Sequence, residues 1–546
     1  MKRFIVVPLF LCILFLHPLN AGDYDFHEKV SMLIEQNLKK NPDSYLNRFY
    51  KSIYYIPVWV HEHKISSFSQ SLLKSIETNR FNLPSAIYNK SLRLQEKASK
   101  IYSGGNIQDK LVLELEFSKL YNQYYSYLGS GGTDWSLFQS KLAAKNKAYN
   151  MDAKWVSYGV ASSPANLLKS AIINGSLSAS MDQKSEFGFN YDKLYEKLKF
   201  YNAVAQKEQI QKITIGKTYL KPGENSSAIP LIRKRLALTD ELGGCSQNGS
   251  TLYDKCLFDV IKQFQARNGL SNSGVIGKDT LSALNESLAS RARKIELNLD
   301  RIKQFNQRDE KYHVIINIPD FMLYFMDGKQ VKKQMRVIVG DKKHPTPVFG
   351  SKVAYIVLNP YWNVPDSIIQ KEFIPKMLKD PDAMKKENIN ITQGWAKDAP
   401  IVDPSTIDWN EYRYTKTVPF RFAQPPGYGN ALGKIKFIFP NDFSVYMHDT
   451  PTKRLFKRDT RAFSHGCIRL SEPMEMLRIF SEIDNNVNLG NSKGILKGSK
   501  ETNVYLAKSI PVDVVYLTAW VNSNGEIEFR DDVYGYDKLQ LSCRAY

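Results

Sequence analysis

Residues 312–339 read YHVIINIPDFMLYFMDGKQVKKQMRVIV. Three runs, Tyr312–Ile318, Phe321–Met326 and Val331–Val339, are dense in Val, Ile, Tyr and Phe, side chains that pack well on a pleated surface. Asp327-Gly328 between the second and third is a hairpin signal, because glycine supplies the positive φ that a tight turn needs. The same texture recurs at Val353–Leu358, Ile435–Phe439, Ser444–His448 and Val512–Val521, with Asn522-Ser523-Asn524-Gly525 as a further turn. The chain from 311 onward is therefore predicted to be mainly β. Between Pro365 and Gly433 the pattern is mixed: helical at Phe373–Lys379, then rich in Pro, Gly and aromatics as far as Pro425-Pro426-Gly427. That break predicts a cap inserted at about 366–430.

Upstream the texture is helical. Leu113, Phe117, Leu120, Tyr124 and Leu128 recur at three- and four-residue steps, one apolar helix face. Leu194, Leu198 and Tyr201 repeat the pattern, and Gly129-Ser130-Gly131-Gly132 interrupts it. Residues 22–215 are predicted to form a helical domain, whose tyrosines are packing aromatics. From 220 to 297 three shorter helices are predicted, over Ile229–Leu238, Cys256–Asn268 and Lys278–Leu288, with the loop Gly269–Gly277 between the last two. At 546 residues the chain exceeds one hydrophobic core.

The N-terminus speaks to compartment. Lys2 and Arg3 precede an apolar run from Phe4 to Leu16, and Ala21 offers a small residue for cleavage. The run is shorter than the ~20 residues that span a bilayer, so residues 1–21 read as a secretory signal peptide. An uncleaved anchor in the inner membrane is the alternative. Cys12 leaves with the leader, and the mature chain keeps Cys245, Cys256, Cys467 and Cys543. Export permits disulfides. Cys245 and Cys256 are expected to pair, Cys543 being a competing partner, while Cys467 stays free. The formal net charge is +20, from 75 Lys and Arg against 55 Asp and Glu. Charge alone does not choose a partner, but no basic run interleaved with aromatics points to nucleic acid.

The chemistry concentrates in Tyr446-Met447-His448-Asp449-Thr450 and Ser464-His465-Gly466-Cys467-Ile468-Arg469-Leu470. A cysteine attacks as thiolate, and a nearby imidazole or positive charge favours that form. Two histidines and three arginines (Arg458, Arg461, Arg469) accompany Cys467. Gly466 allows close backbone approach, so amide N–H groups could form an oxyanion hole. A metal held by His448, His465 and Cys467 lacks a fourth ligand at familiar spacing. Neither a metal nor any cofactor is called for.

Two resemblances now follow. Phe264-Gln265-Ala266-Arg267-Asn268-Gly269-Leu270, Gly274-Val275-Ile276-Gly277 and Thr280-Leu281-Ser282-Ala283-Leu284-Asn285 resemble the three-helix peptidoglycan-binding domain. His448, a spacer of fifteen residues from Asp449 to Phe463, then Ser464-His465-Gly466-Cys467 match the signature of the L,D-transpeptidases. Asn359-Pro360-Tyr361-Trp362-Asn363-Val364-Pro365, Ala431–Phe437, Thr518-Ala519-Trp520 and Tyr534-Gly535-Tyr536-Asp537 also look like the longer members of that family, whereas Phe420–Gly427 departs from their more compact run. The implied architecture is multidomain α+β: a helical scaffold (22–215), a three-helix peptidoglycan-binding domain (220–297), and a mainly-β catalytic domain (311–507) with an inserted cap, then a C-terminal β-hairpin and tail (508–546).

By that resemblance Cys467 is the nucleophile and His448 its base, oriented by Asp449 or a backbone carbonyl. His465, Gly466 and the Cys467 amide would build the oxyanion site, and Arg469 would hold a substrate carboxylate or shape the loop. Ser464, Tyr446, Trp362 and Asn359 would contact substrate. The implied reaction forms a thioester with a donor stem peptide, which a second stem's amine resolves as a 3→3 cross-link, and carbapenems would acylate the same thiol. Two alternatives stay open: a hydrolase using water on that nucleophile (an L,D-carboxypeptidase or a wall-protein-releasing enzyme), and an inactive binding module. The partners implied are peptidoglycan stem peptides and glycan strands, with other wall-synthesis proteins as further candidates, in the periplasm.

Overall fold

The computed structural model describes residues 21–544 apart from 43, 81–82, 157–163, 178–188, 209–210, 240, 306–309, 397–398 and 416. The expected leader therefore lies outside the described residues except at position 21. No helix among the described residues is long and apolar enough to cross a membrane. The architecture is multidomain α+β, with helices over the first half and a large mixed sheet in the second.

The helical half divides between two cores. Helix α1 (Ile107–Ser130) buries Leu113, Phe117, Leu120, Tyr121 and Tyr124 against Tyr50, Trp59 and Leu72, an N-terminal core of its own. An Asn106–Asp109 capping box starts this helix, each side chain accepting from the other residue's backbone N–H. Helices α2 (Trp135–Tyr149) and α3 (Tyr191–Ala205) pack elsewhere: Phe138, Leu142, Leu194 and Tyr201 join the core of the β half. The predicted 22–215 unit is thus a helical bundle followed by helices that serve the sheet. The change comes at Gly131-Gly132, where the backbone runs so close to the Asp300 carboxylate that a Cβ at Gly131 would overlap it.

Within the N-terminal bundle, Glu114 is fully buried on α1. Its carboxylate accepts from Tyr50 Oη at 2.6 Å and from the amides of Val58, Trp59 and Val60 at 2.7, 2.8 and 3.1 Å. One acid thereby satisfies three amides of an irregular segment that would otherwise be buried without partners.

The small middle domain is built by α4 (Ala228–Ala237), α5 (Lys255–Arg267) and α6 (Lys278–Asn285) around Ile229, Ile232, Leu257, Ile261, Phe264 and Leu284. Gln265 explains the spacing read in the sequence. Its amide donates to the Val275 carbonyl (2.8 Å) and Thr280 Oγ1 (3.0 Å) and accepts from the Gly274 N–H (2.8 Å), so one buried side chain fastens loop and third helix to the second. Gly274 stands at φ +73°, with the Phe258 ring where a Cβ would lie. Cys245 and Cys256 are joined, while Cys467 and Cys543 are free, Cys543 buried in the C-terminal turn. Helix α7 (Leu288–Ile302) belongs to the sheet's core.

The sheet comprises β1 (Tyr312–Asn317), β2 (Met322–Asp327), β3 (Gln330–Gly340), β4 (Phe349–Leu358), β8 (Ile435–Ile438), β9 (Met447–His448), β10 (Ala462–Ser464), β11 (Ile468–Leu470) and β12 (Thr502–Val515). The Asp327-Gly328 turn joins β2 to β3, Asp327 pairing with Gln330. In space the order is β10-β3-β11-β9-β8-β4-β12-β1-β2, and β2 also pairs with β3, so eight strands close into a ring. The cap is a three-stranded sheet, β5 (Trp362–Asn363), β7 (Phe420–Gln424) and β6 (Asn390–Gln393), with short helices and its own core of Val364, Phe373, Ile374, Trp409 and Phe422.

Two strand expectations are revised. Val512–Val521 is two strands: β12 ends at Val515, and β13 (Ala519–Val521) pairs with β14 (Ile527–Phe529) in a separate hairpin. Between them Thr518 is pulled aside, its N–H donating to Asn298 Oδ1 (2.8 Å) and its hydroxyl to Asp537 Oδ1 (3.0 Å). β12 also runs back to Thr502, through the predicted 507/508 division, pairing with β4 and β1.

Replacing Glu114 by Gln puts an NH2 against N–H donors. We expect Glu114→Gln to destabilise the N-terminal bundle by about 3 kcal/mol, the scale for unsatisfied buried donors beside a lost charged acceptor, measured by urea unfolding of the full chain. A loss under about 1 kcal/mol would show that this carboxylate does not hold the segment.

Candidate active site

Strand register assembles the site. On β8, β9 and β11, adjacent in the ring, Lys436 pairs with His448 and Arg469 pairs with His448. Paired residues share a face and the side-chain period is two, so Lys436, His448 and Arg469 lie abreast on one face. Phe437, Met447, Ile468 and Leu470 alternate to the other and are buried. Two positions before His448 and Arg469 come Tyr446 and Cys467, also neighbours across strands: the Ile468 N–H donates to the Tyr446 carbonyl at 3.0 Å. Tyr446 favours the ionised form of the Cys467 thiol, and Lys436 Nζ lies 3.7 Å from the Tyr446 ring centroid. The Tyr446 and His448 rings are 5.6 Å apart.

The 464–467 turn presents the sulfur. Ser464 is buried, its hydroxyl donating to the Cys467 carbonyl at 2.5 Å and accepting from the Gly466 N–H at 3.2 Å. Gly466 sits at φ +103°, a backbone conformation that L side chains rarely adopt. Its carbonyl accepts from Thr346 Oγ1 at 2.8 Å. The Gly466 amide is thereby committed inside the turn, and Ser464 braces it rather than facing a ligand. Cys467 is partly exposed, its Sγ 3.8 Å from the Ser444 carbonyl.

His448 is buried, Nδ1 lying 2.5 Å from the Asp449 carbonyl. Of the two expected orienting groups the backbone carbonyl is therefore the one in contact. The Asp449 carboxylate instead accepts from Lys434 N, Thr450 N and Lys453 Nζ. Burial, then the Arg469 and Lys436 charges, push the His448 imidazole down to about 3, against the pull of the Asp449 and Leu432 carbonyls. Burial pushes the Cys467 thiol above its ordinary value, with Tyr446, Lys436 and Arg469 pulling the other way. Both shifts favour the uncharged forms, a thiol and a neutral imidazole.

The remaining predicted residues are scattered. His465 is half-exposed, its Nε2 2.7 Å from Glu372 Oε1 of the cap and its ring 4.6 Å from that of His344. Trp362 packs on Phe373 in the cap sheet. Asn359 is buried at φ +50°, its side chain donating to the Ile495 carbonyl at 2.8 Å, so it shapes the chain leaving β4. Lys436 was missed by sequence reasoning. Its one signal was alternation in Ile435-Lys436-Phe437-Ile438, which sets it opposite the core, but its neighbours come from strands ten and thirty residues away.

Residues 311–505 match the family described as "L,D-transpeptidase catalytic domain". The chain carries an L,D-transpeptidase catalytic domain. Residues 44–198 match the "Scaffold domain" and 227–284 the "Putative peptidoglycan binding domain". A Haemophilus influenzae protein named "Putative L,D-transpeptidase" is 34% identical over 246 residues, covering 45% of this chain and 48% of its own length. The chain thus spans about half the length of that curated relative. Crystal structures of an L,D-transpeptidase from Stackebrandtia nassauensis (14% identity, 55% of this chain and 96% of that one, TM-score 0.22) and of one from Mycobacterium smegmatis (14%, 37% and 58%, TM-score 0.17) overlap only loosely.

Because only the thiolate attacks, the raised thiol sets a pH dependence for the free transpeptidase domain. The thiolate fraction, and so alkylation of Cys467 by iodoacetamide, should climb about tenfold per pH unit through neutrality and level off only above the usual thiol value near 8.5. A rate already flat between pH 5 and 8 would reveal a preformed thiolate–imidazolium pair and overturn this description.

Proposed function

We propose that this protein is an exported L,D-transpeptidase that cross-links peptidoglycan stem peptides through a thioester on Cys467. The observation that supports the reading is strand pairing that sets His448 of β9 beside Lys436 and Arg469, with Tyr446 and Cys467 immediately before β9 and β11, inside the matched catalytic domain. The sulfur attacks the carbonyl of the L-centre at position 3 of a donor tetrapeptide. Its proton passes to His448: with Nδ1–H on the Asp449 carbonyl, Nε2 keeps the lone pair. The amide of Cys467 supplies an oxyanion donor, since that of Gly466 is taken by Ser464. Collapse of the tetrahedral intermediate expels the terminal D-residue, His448 returning the proton to its amine. A side-chain amine of a second stem then displaces the thiol, giving a 3→3 cross-link.

The middle domain would hold the enzyme on glycan strands, and the N-terminal leader would deliver it to the periplasm. The cap, whose Glu372 meets His465 beside the nucleophile, would shape the acceptor's approach and exclude water. A carbapenem would acylate the same sulfur.

Incubation of the purified protein with disaccharide-tetrapeptide, read by mass spectrometry, tests this. Cross-linked dimer is expected, with Cys467→Ala inactive and His448→Ala slowed by about 10²–10⁴, the worth of general acid–base catalysis. Tripeptide without dimer would make the enzyme a carboxypeptidase. Dimer formed by a folded Cys467→Ala protein would end the mechanism. After carbapenem exposure a single mass adduct should appear in the wild type and be absent from Cys467→Ala; persistence there would place the reactive group elsewhere.

A further inference from the structure

Two cations bracket the His448 imidazole, and neither is matched to an acid at contact distance among the described residues. Lys436 and Arg469 flank His448 in register on β8 and β11. Lys436 is partly buried, and its close neighbour is the Tyr446 ring, 3.7 Å from Nζ. Arg469 keeps its Nε buried with no hydrogen-bond partner among the described residues. The acid whose charge reaches Lys436 is Glu501, acting at longer range while its carboxylate accepts the Tyr361 N–H at 2.8 Å. Asp449, next to His448, is committed to Lys453 and two backbone amides. Desolvating two positive charges without partners is costly. At a site open on one side, that cost points to an anion that arrives with the ligand.

The position fixes which anion. Arg469 is two residues from Cys467 on the same face, about 7 Å along a strand, and Lys436 acts on the sulfur from the other flank. A peptide whose scissile carbonyl rests on Cys467, with a single residue beyond it, ends in a free carboxylate only a few ångströms further on. Resting on the acyl-transfer reading above, we propose that Lys436 and Arg469 form a clamp for the C-terminal carboxylate of the acyl donor. Lys436 is thus a binding and positioning residue for the donor.

The physical consequence follows from the charges around the imidazole. Arg469 and Lys436 both oppose protonation of His448. A carboxylate between them offsets that field, so the base strengthens only when the correct donor is in place. Capture of the charge should appear in KM, and its release of His448 in kcat. A donor capped as an amide, or extended so that its carboxylate lies elsewhere, would reach the sulfur but leave the base weak.

The test compares a disaccharide-tetrapeptide with the same compound bearing a C-terminal carboxamide, following formation of the Cys467 acyl adduct by intact mass in single-turnover reactions. Wild type should favour the acid by about 10- to 100-fold, the scale of charge-assisted hydrogen bonds. Lys436→Met, which keeps the apolar stem, should lower the rate on the acid by a similar factor and so collapse the acid-over-amide preference towards unity; Lys436→Arg should restore the preference. Equal wild-type rates on acid and amide, or an equal loss on both in Lys436→Met, would overturn the clamp while leaving the thioester mechanism standing. Absence of a Cys467 adduct with either donor would overturn both.

Discussion

The site depends on the register of three short strands. β8, β9 and β11 contribute four, two and three residues, too few for their own hydrogen bonds to specify an alignment. A slip of one residue in any of them would turn Lys436, His448 or Arg469 into the core and bring Phe437, Met447 or Ile468 out. What forbids the slip is the ring. Each of these strands is held on both sides, β8 by β4 and β11 by the long β3, and β3 meets β2, so the circuit has no free edge at which a shift could be absorbed. The buried partners enforce the same alignment, since Phe437, Met447, Ile468 and Leu470 share one core. Catalytic geometry is thereby a by-product of closing a hydrophobic barrel.

The ring is tied to the helical half through one buried polar knot. On α7, Asn298 exchanges hydrogen bonds with Thr518 through its side-chain amide and oxygen, while Arg301 reaches Asp537 at 2.7 Å and Gln540 at 2.8 Å. Between these two on the helix, Asp300 accepts from the Gly132 N–H, Thr133 Oγ1 and Arg544. A single helix thus fastens the break after the N-terminal bundle, the strand exit at Thr518 and the C-terminal tail. Room for the Asp300 carboxylate is what requires Gly131: a side chain there would overlap it. Motifs at 518 and 534–537 that resembled the longer L,D-transpeptidases in sequence turn out to be parts of this fastening, far in sequence from the nucleophile.

What the sequence disclosed was local, and what it withheld was long-range. The Asp327-Gly328 hairpin and the apolar stripe of α1 are each decided within about twenty residues, and each is found as read; the motif spacing over 264–285 was legible too, though its cause, the Gln265 hydrogen bonds, was not. The His448 and Cys467 pair was legible because residue type and spacing together are rare. Lys436 and Glu372 were not legible, because only strand pairing brings Lys436 beside His448 and only the folded cap brings Glu372 to His465. Ser464 and Asn359 were read as ligand contacts, yet both spend their polar atoms on backbone groups. A polar residue inside a signature is as easily there to hold a turn as to touch a substrate. The first half of β12 was invisible for another reason: Thr502–Lys508 is largely exposed and alternates weakly, so tertiary pairing with β4 makes it a strand.

The charges around His448 bear on more than catalysis. A thiol is oxidised chiefly as its thiolate, and an exported enzyme would carry Cys467 through a compartment where the Cys245–Cys256 pair can form. A permanently ionised nucleophile there would be exposed to oxidation and mixed disulfides between turnovers. Burial instead holds Cys467 above the ordinary thiol range, and burial with two cations holds His448 at about 3, so both shifts favour the uncharged pair. If the proposed clamp holds, the same cations that weaken the base would attract the donor's carboxylate. A single arrangement of strands would then disfavour thiolate in the absence of donor and supply, through the donor's own charge, the change that lets the proton move.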